Sequence, residues 1–201
     1  MESRNNVGEV PFWYGRFKSQ GACCQISDKA SFYGNGRIEI GDNVRIDDFC
    51  ILSAGEGGIK IGSNVHIACH TSIIGAGRIE IEDYAMIGGH SAIYSSTDDF
   101  SGNYLIGPNI DKRLTNVISK PVVFKKHSVI GSHCVVMPGV TINEGAAAGA
   151  MSLVRKDLDE YTIYGGNPLR VIRARSRKLK QLAEGERLPD SVYLEGIDWY
   201  L

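Results

Sequence analysis

The chain has 201 residues, enough for one domain with short appendages. With 43% hydrophobic and 22% charged residues, it is neither a disordered nor a collagen-like sequence. Lys+Arg 22 against Asp+Glu 23 leaves a formal net charge of -1, which excludes the whole-surface basic field of a nucleic-acid binder.

The first residues, Met1-Glu2-Ser3-Arg4-Asn5-Asn6, lack the apolar stretch of a signal peptide. No apolar run reaches the ~18 residues that a membrane helix needs. A cytoplasmic location without stable membrane insertion is therefore expected. The cysteines, Cys23, Cys24, Cys50, Cys69 and Cys134, are odd in number and show no C-x-x-C pair. That spacing predicts neither a disulfide framework nor a thiolate zinc site. Residues 1–24 read as an N-terminal arm, with Trp13, Tyr14 and Phe17 expected to pack over an open end of the body.

From residue 25 a period of six takes over. Ile26 and Phe32 begin it weakly; Ile40, Ile46 and Leu52 form one triplet, Ile61, Ile67 and Ile73 a second, and Ile81, Ile87 and Ile93 a third. Phe124, Ile130, Val136, Ile142, Ala148 and Val154 resume it later. Four residues after each stands a small or β-branched residue, such as Val44, Cys50, Thr71, Ala85, Ser91, Ser128 or Ala146. Six fits neither an α-helix nor a plain amphipathic strand. It fits an all-β solenoid of short strands and corners, in which the hexad leader points inward and the small residue lets the chain turn. Three hexads make one triangular coil, and coils should stack at ~4.8 Å. The extra residues at Gly55–Gly58 and Gly75–Gly77 read as corner bulges.

Between Ile93 and Phe124 the period vanishes, and residues 98–120 read as an extruded polar loop. A loop of this length inside a compact domain is usually functional. After Val154 a last strand is expected at Tyr161–Tyr164, closing a solenoid of residues 25–168. Asn167 and Pro168 suit the start of an α-helix with Leu169, Ile172, Leu179 and Leu182 on one face, ending near Gly185. Residues 169–201 are thus expected to be a C-terminal helix and a tail carrying Tyr193, Trp199 and Tyr200.

The hexads resemble the left-handed parallel β-helix of the hexapeptide-repeat acyltransferases. Val129-Ile130-Gly131-Ser132-His133 through Val136-Met137-Pro138-Gly139-Val140-Thr141-Ile142 is similar to that family's core signature, and Gly166-Asn167-Pro168 with Arg170 to its ending. Within the family, the chain resembles galactoside acetyltransferase-like sugar acetyltransferases. The segments Val44–Ser53 and Ser96–Gly102 are similar to enzymes of O-antigen clusters that acetylate nucleotide-linked amino sugars. The resemblance implies acetyl-CoA as co-substrate, a nucleotide-linked sugar as acceptor, and a homotrimer with active sites between subunits.

Acyl transfer needs a surface for the pantetheine arm, cations for phosphates, donors for the oxyanion and an acceptor for the nucleophile's proton. Arg170 and Arg173, after the Gly-x-Pro turn, are the expected phosphate contacts, since a guanidinium fork binds phosphate bidentately. Gly131, Gly149 and Ala150 have little or no side chain and would let pantetheine approach the backbone, or they are simply tight corners. In the galactoside acetyltransferase-like enzymes a histidine opens the loop; the matching position here is Asp98, with Asp99 beside it. A carboxylate of solution pKa ~3.9 is a poor base for a sugar hydroxyl. It suits an amine, whose ammonium it can anchor and relieve of a proton. Asp98 therefore favours N-acetylation, with turn chemistry as the plainer alternative for the Asp pair.

His70, His90 and His133 each follow a hexad leader by three and should form a column. His90, on the coil of Asp98, is the second candidate base. His70, Asp47, Asp48 and Tyr94 are the candidate acceptor contacts. A zinc hydratase on a β-helix is a rival reading of the three histidines. A column at strand spacing does not converge on one ion, so no metal is expected. His66 and His127 carry no special argument, and Cys50, Cys69 and Cys134 read as small core or near-core residues. Two other functions stay open: O-acetylation of a sugar or polysaccharide, with His90 as base, and a non-catalytic scaffold subunit.

Overall fold

The computed structural model describes residues 17–185 and is a parallel β-solenoid. Trp13 and Tyr14 of the arm, and Tyr193, Trp199 and Tyr200 of the tail, lie outside the described residues. Each coil contributes one short strand to each of three faces. The first face runs Ser19–Gln20, Ile38–Ile40, Ile59–Ile61, Ile79–Ile81, Val122–Phe124, Thr141–Ile142. The second begins at Gln25–Ile26 and passes through Arg45–Ile46, His66–Ile67, Met86–Ile87, Val129–Ile130 and Ala147–Ala148 to Thr162–Gly165. The third runs from Ser31–Tyr33 through Ile51–Ala54, Ser72–Gly75, Ala92–Tyr94 and Val135–Val136 to Leu153–Val154.

The period of six becomes the core because leaders fall in register on every face. Ile46, Ile67, Ile87 and Ile130 are direct partners along the second face. Ile61, Ile81, Phe124 and Ile142 are partners along the first, and Leu52, Ile73, Ile93 and Val136 along the third. All of these are 2% exposed or less. Each such buried side chain contributes about 1.5–3 kcal/mol. The residues four places later, including Cys50, Thr71, Ala85, Ser91, Ser128, Cys134 and Ala146, are equally buried. Burial pushes the Cys50 thiol up to about 11 and raises that of Cys134, so neither is a reactive thiol.

The corners have a fixed backbone form. Three residues after each leader the chain turns left-handed: Asn43, Asn64, Tyr84 and His127 on the first corner, and Phe49, His70, His90, His133 and Met151 on the second, all with φ between 53° and 61°. Non-glycine residues reach this region at a cost of about 1–2 kcal/mol each. The inter-coil ladder offsets it: the amides of His70, His90 and His133 donate to the carbonyls of Asp48, Cys69 and Gly89 at 2.9–3.0 Å.

The extruded loop leaves from the third corner. Its ends pair as an antiparallel ribbon, Ser96–Asp98 with Val117–Ser119, and Asp111 caps the short 3-10 turn Lys112–Leu114. Phe17 of the arm packs edge-on against Phe32 at 5.0 Å.

The C-terminal helix departs from expectation. Arg170–Ala174 is a strand, antiparallel to Thr162–Gly165, and the α-helix is only Lys178–Ala183. The last strand of the second face had an open edge, and pairing satisfies backbone groups that a helix would have left facing solvent. The β-branched pair Val171 and Ile172 suits a strand, and both remain exposed, at 61% and 41%.

Candidate functional site: the second corner and the loop ribbon

The second corner gathers most of the residues singled out in the sequence onto one edge. In coil order it carries Asp47 and Asp48, then His70, His90, Gly131 with His133, and Gly149 with Ala150. The expected histidine column is present. The His70 and His90 rings lie 4.6 Å apart at 12°, and His90 and His133 lie 4.8 Å apart at 11°. Phe49 extends the stack, 4.9 Å from His70. Parallel rings at strand spacing present their edges outward. Among the described residues, no group of three or more His, Cys, Asp or Glu is placed to hold a metal ion.

Asp47 and Asp48 are both hydrogen-bonded to neighbouring side chains. Asp47 Oδ1 accepts from Arg45 Nε at 2.7 Å, and Oδ2 lies 2.8 Å from His66 Nε2. Burial opposes ionisation of Asp47, but the hydrogen bonds to His66 and Arg45 outweigh it and hold the carboxyl below its usual range. Asp48 accepts from Lys29 Nζ at 2.7 Å and from the Ser27 hydroxyl, and the Lys29 bond chiefly keeps its carboxyl low. Both aspartates thus have hydrogen-bond partners within the chain, and both line a cavity on this corner.

Asp98 and Asp99 are adjacent but differently placed. Asp99 Oδ1 accepts the Ser101 amide and Oδ2 the Asn116 side chain, both at 2.7 Å. These bonds, that of Ser101 first, lower its carboxyl and tie the two sides of the loop together. These are the bonds that the turn-chemistry alternative expects of Asp99. Asp98 ends the ribbon strand Ser96–Asp98, half-exposed, and among the described residues its carboxylate takes part in no hydrogen bond or ion pair. His90 and Asp98 share a coil, but the strand Ala92–Tyr94 separates them, one at the second corner and the other beyond the third. Within one chain the two candidate bases do not form a pair. Tyr94 faces outward on that strand, half-exposed, beside Ile74.

On the donor side, Gly131 is tight by necessity: a Cβ there would stand 2.6 Å from the Ala150 nitrogen. Gly149 has more room, its nearest contact being the Tyr164 carbonyl at 3.5 Å. Arg170 and Arg173 lie on the exposed terminal strand rather than a helix. A cavity of about 520 Å³ opens instead between Leu153, Arg155, Lys156, Asn167, Pro168 and Leu169. Arg155 and Lys156 have no carboxylate partner among the described residues. In sequence they are two adjacent cations directly after the leader Val154.

A larger cavity, about 670 Å³, lies on the first corner between Tyr84, His127, Glu144 and Lys180. Its cations are paired internally: Lys125 with Glu82 at 2.8 Å, Lys126 with Asp83 at 3.5 Å and Lys180 with Glu144 at 3.7 Å. None of the candidate acyl-transfer residues lines it, and it is not the candidate site despite its size.

No protein-family model matches the chain. Individual proteins do. The chain is 50% identical over 166 residues to the dTDP-4-amino-4,6-dideoxy-D-glucose acyltransferase of Escherichia coli, spanning 83% of this chain and 86% of that protein. The structure of AntD, an N-acyltransferase from Bacillus cereus in complex with dTDP and 3-hydroxybutyryl-CoA, superposes with a TM-score of 0.81 at 47% identity, over 85% of this chain and 89% of that one. A variant of AntD in complex with dTDP-4-amino-4,6-dideoxyglucose and coenzyme A gives a TM-score of 0.80 at 48% identity, over 85% and 90%.

Proposed function

Because the chain belongs to the acyltransferase family that includes the dTDP-4-amino-4,6-dideoxy-D-glucose acyltransferase, we propose that it transfers an acyl group from a CoA thioester to the amino group of a dTDP-linked amino-deoxy sugar. The acyl group in this reading is acetyl. Among the features of the site, the observation that carries it is the unpartnered carboxylate of Asp98. The other candidate aspartates, Asp47, Asp48 and Asp99, are all engaged, whereas Asp98 ends its strand of the loop ribbon with nothing to hold.

An ammonium arriving there meets a free anion. The carboxylate orients it and takes the proton it sheds, and the neutral amine attacks the thioester carbonyl. The tetrahedral oxyanion collapses, the C–S bond breaks and CoA leaves as the thiolate, which recovers a proton. The second-corner edge at Gly131, Gly149 and Ala150 receives the pantetheine in this arrangement, and the cavity of Arg155 and Lys156 receives CoA phosphate.

Asp98 and His90 lie on either side of the strand Ala92–Tyr94, so a site that uses both needs a second subunit. We propose a homotrimer with sites between subunits. Exposed apolar side chains favour it: Phe100 is 81% exposed and Leu105, Leu114 and Val117 are each more than half exposed, all on the extruded loop. We also propose a cytoplasmic enzyme of O-antigen synthesis; among the described residues no helix is long and apolar enough to cross a membrane.

The test is thiol release from acetyl-CoA and 3-hydroxybutyryl-CoA against a panel of nucleotide-linked amino and hydroxy sugars. Turnover confined to amino sugars is expected, fastest with dTDP as the nucleotide. Turnover confined to hydroxy sugars overturns the reading in favour of O-acylation.

A further inference from the structure

We propose that Arg45 is a diphosphate-binding residue for the nucleotide-linked acceptor, held in place for that task by Asp47 and His66. The inference rests on the function proposed above, and it follows from what the second-corner aspartates do.

Arg45 and His66 are direct partners on adjacent strands of the second face, so their side chains stand side by side on its outer surface. Asp47 bridges them. Its Oδ2 is fixed by His66 Nε2 at 2.8 Å, which turns Oδ1 toward Arg45 Nε at 2.7 Å. The carboxylate takes only the Nε edge of the guanidinium. Among the described residues, the two Nη groups make no hydrogen bond. A guanidinium gripped at Nε and open at its outer edge is preorganised to form two parallel bonds to phosphate oxygens.

Other cations of these coils are committed differently. Lys18 pairs with Glu39, Lys60 with Glu80 and Lys29 with Asp48, while Arg37 points its Nε and Nη2 into the carbonyls of Ala54 and Gly55. Arg45 instead borders a cavity of about 320 Å³ shared with Gln25, Ser27, Asp47 and Asp48, which opens on the second corner. Two rungs separate Arg45 from Met86, the strand that leads into His90. At the usual strand spacing that is about 10 Å, a length that a diphosphate and one sugar ring span together. On the same outward row the next residues are Met86, Val129, Ala147 and Ile163, and a cation returns only with Arg173 on the terminal strand, so on the coils that carry the histidine stack the anion of the substrate finds its donor at the Arg45 end.

The experiment measures binding of dTDP and of thymidine to the full chain by calorimetry, alongside turnover of a dTDP-linked amino sugar. Arg45→Ala is expected to weaken dTDP by about 10- to 100-fold, the worth of hydrogen bonds to a charged group, and to leave thymidine and acetyl-CoA binding unchanged. Arg45→Lys restores only part of the loss, because the fork is gone. Asp47→Asn and His66→Gln shift dTDP in the same direction by less, with thymidine unmoved, as positioning residues do. Arg45 is exposed, so its loss leaves the fold intact, and an unchanged unfolding midpoint checks this. If wild-type chain acylates the dTDP-linked amino sugar while Arg45→Ala binds dTDP normally, or loses dTDP and thymidine equally, the inference is overturned and the proposed function stands. If the wild-type chain neither binds dTDP nor acylates such a sugar, the proposed function itself falls, and this inference with it.

Discussion

Asp98 and His90 stand on either side of the strand Ala92–Tyr94, the first on the loop ribbon beyond the third corner and the second in the imidazole stack of the second corner. In the proposed reaction they are alternatives for proton acceptance within a chain, and they could act together only in the proposed trimer. The free carboxylate makes Asp98 the stronger candidate for an amine.

Asp98→Asn keeps the size and hydrogen-bonding shape and removes the charge. Turnover of an amino sugar should fall by roughly 10²-fold or more, the usual worth of a general base. Raising the pH should recover part of the loss, since free amine then forms without help, and acyl-CoA binding should not change. His90→Asn is the comparison. If it abolishes turnover while Asp98→Asn stays near wild type, the proton passes to the stack and Asp98 is loop chemistry.

The solenoid was legible in the sequence because a buried leader every six residues is a rule each coil must obey. Phe124, Ile130 and Val136 announce the same three faces as Ile81, Ile87 and Ile93 even across the extruded loop. The histidine column followed from the same arithmetic. The C-terminal strand did not, because Arg170–Ala174 takes its form from the open edge at Thr162–Gly165, a partner that local sequence does not display. The bonding of Asp47, Asp48 and Asp99 within the chain was not legible for a related reason. A carboxylate looks the same in sequence whether it faces a substrate or a lysine twenty residues away, and the pairing of Lys29 with Asp48 exists only once coils are stacked.

The cavity of Arg155 and Lys156 predicts a split between two ligands. Arg155→Ala and Lys156→Ala should each weaken CoA more than dephospho-CoA, because a cation without a carboxylate partner contributes to binding through the extra phosphate. Arg170→Ala and Arg173→Ala, on the exposed terminal strand, should give the smaller effect of the two sets. Calorimetry on the four variants decides it, and equal losses for both ligands would place the 3′-phosphate elsewhere.

Gly131 tests how closely successive coils approach at the donor edge. In Gly131→Ala the new Cβ meets the Ala150 nitrogen at 2.6 Å, a backbone atom that cannot swing aside. The coils must part locally, at a cost of about 1–3 kcal/mol. A lowered unfolding midpoint is expected, with weaker CoA binding if pantetheine runs along Gly131 and Ala150. The same change at Gly149, whose nearest contact is 3.5 Å away, should cost much less stability.

The last turn of the solenoid is closed by a hydrogen bond that should show in the pH dependence of stability. Tyr161 donates its hydroxyl to Glu144 Oε1 at 2.6 Å, and Arg175 Nη1 donates to the carbonyls of His127 and Gly145 just beneath. Burial, with the Glu144 bond second, pushes the Tyr161 phenol up to about 12, while the Tyr161 bond chiefly holds the Glu144 carboxyl below its usual range. The signs differ. A raised phenol contributes stability that is complete below its unfolded pKa, near 10, and is lost as pH rises from there through about 12. A lowered carboxyl contributes stability that is present above its unfolded value, near 4.5, and is lost as pH falls through the lower folded one. Tyr161→Phe should therefore lower the unfolding midpoint at neutral pH and flatten the decline above pH 10. Glu144→Gln should flatten the acid limb and leave a weaker bond to the phenol. Denaturant unfolding of both variants across the pH range is the measurement. If Tyr161→Phe loses as much stability at pH 12 as at pH 7, the hydrogen bond does not govern the alkaline limb.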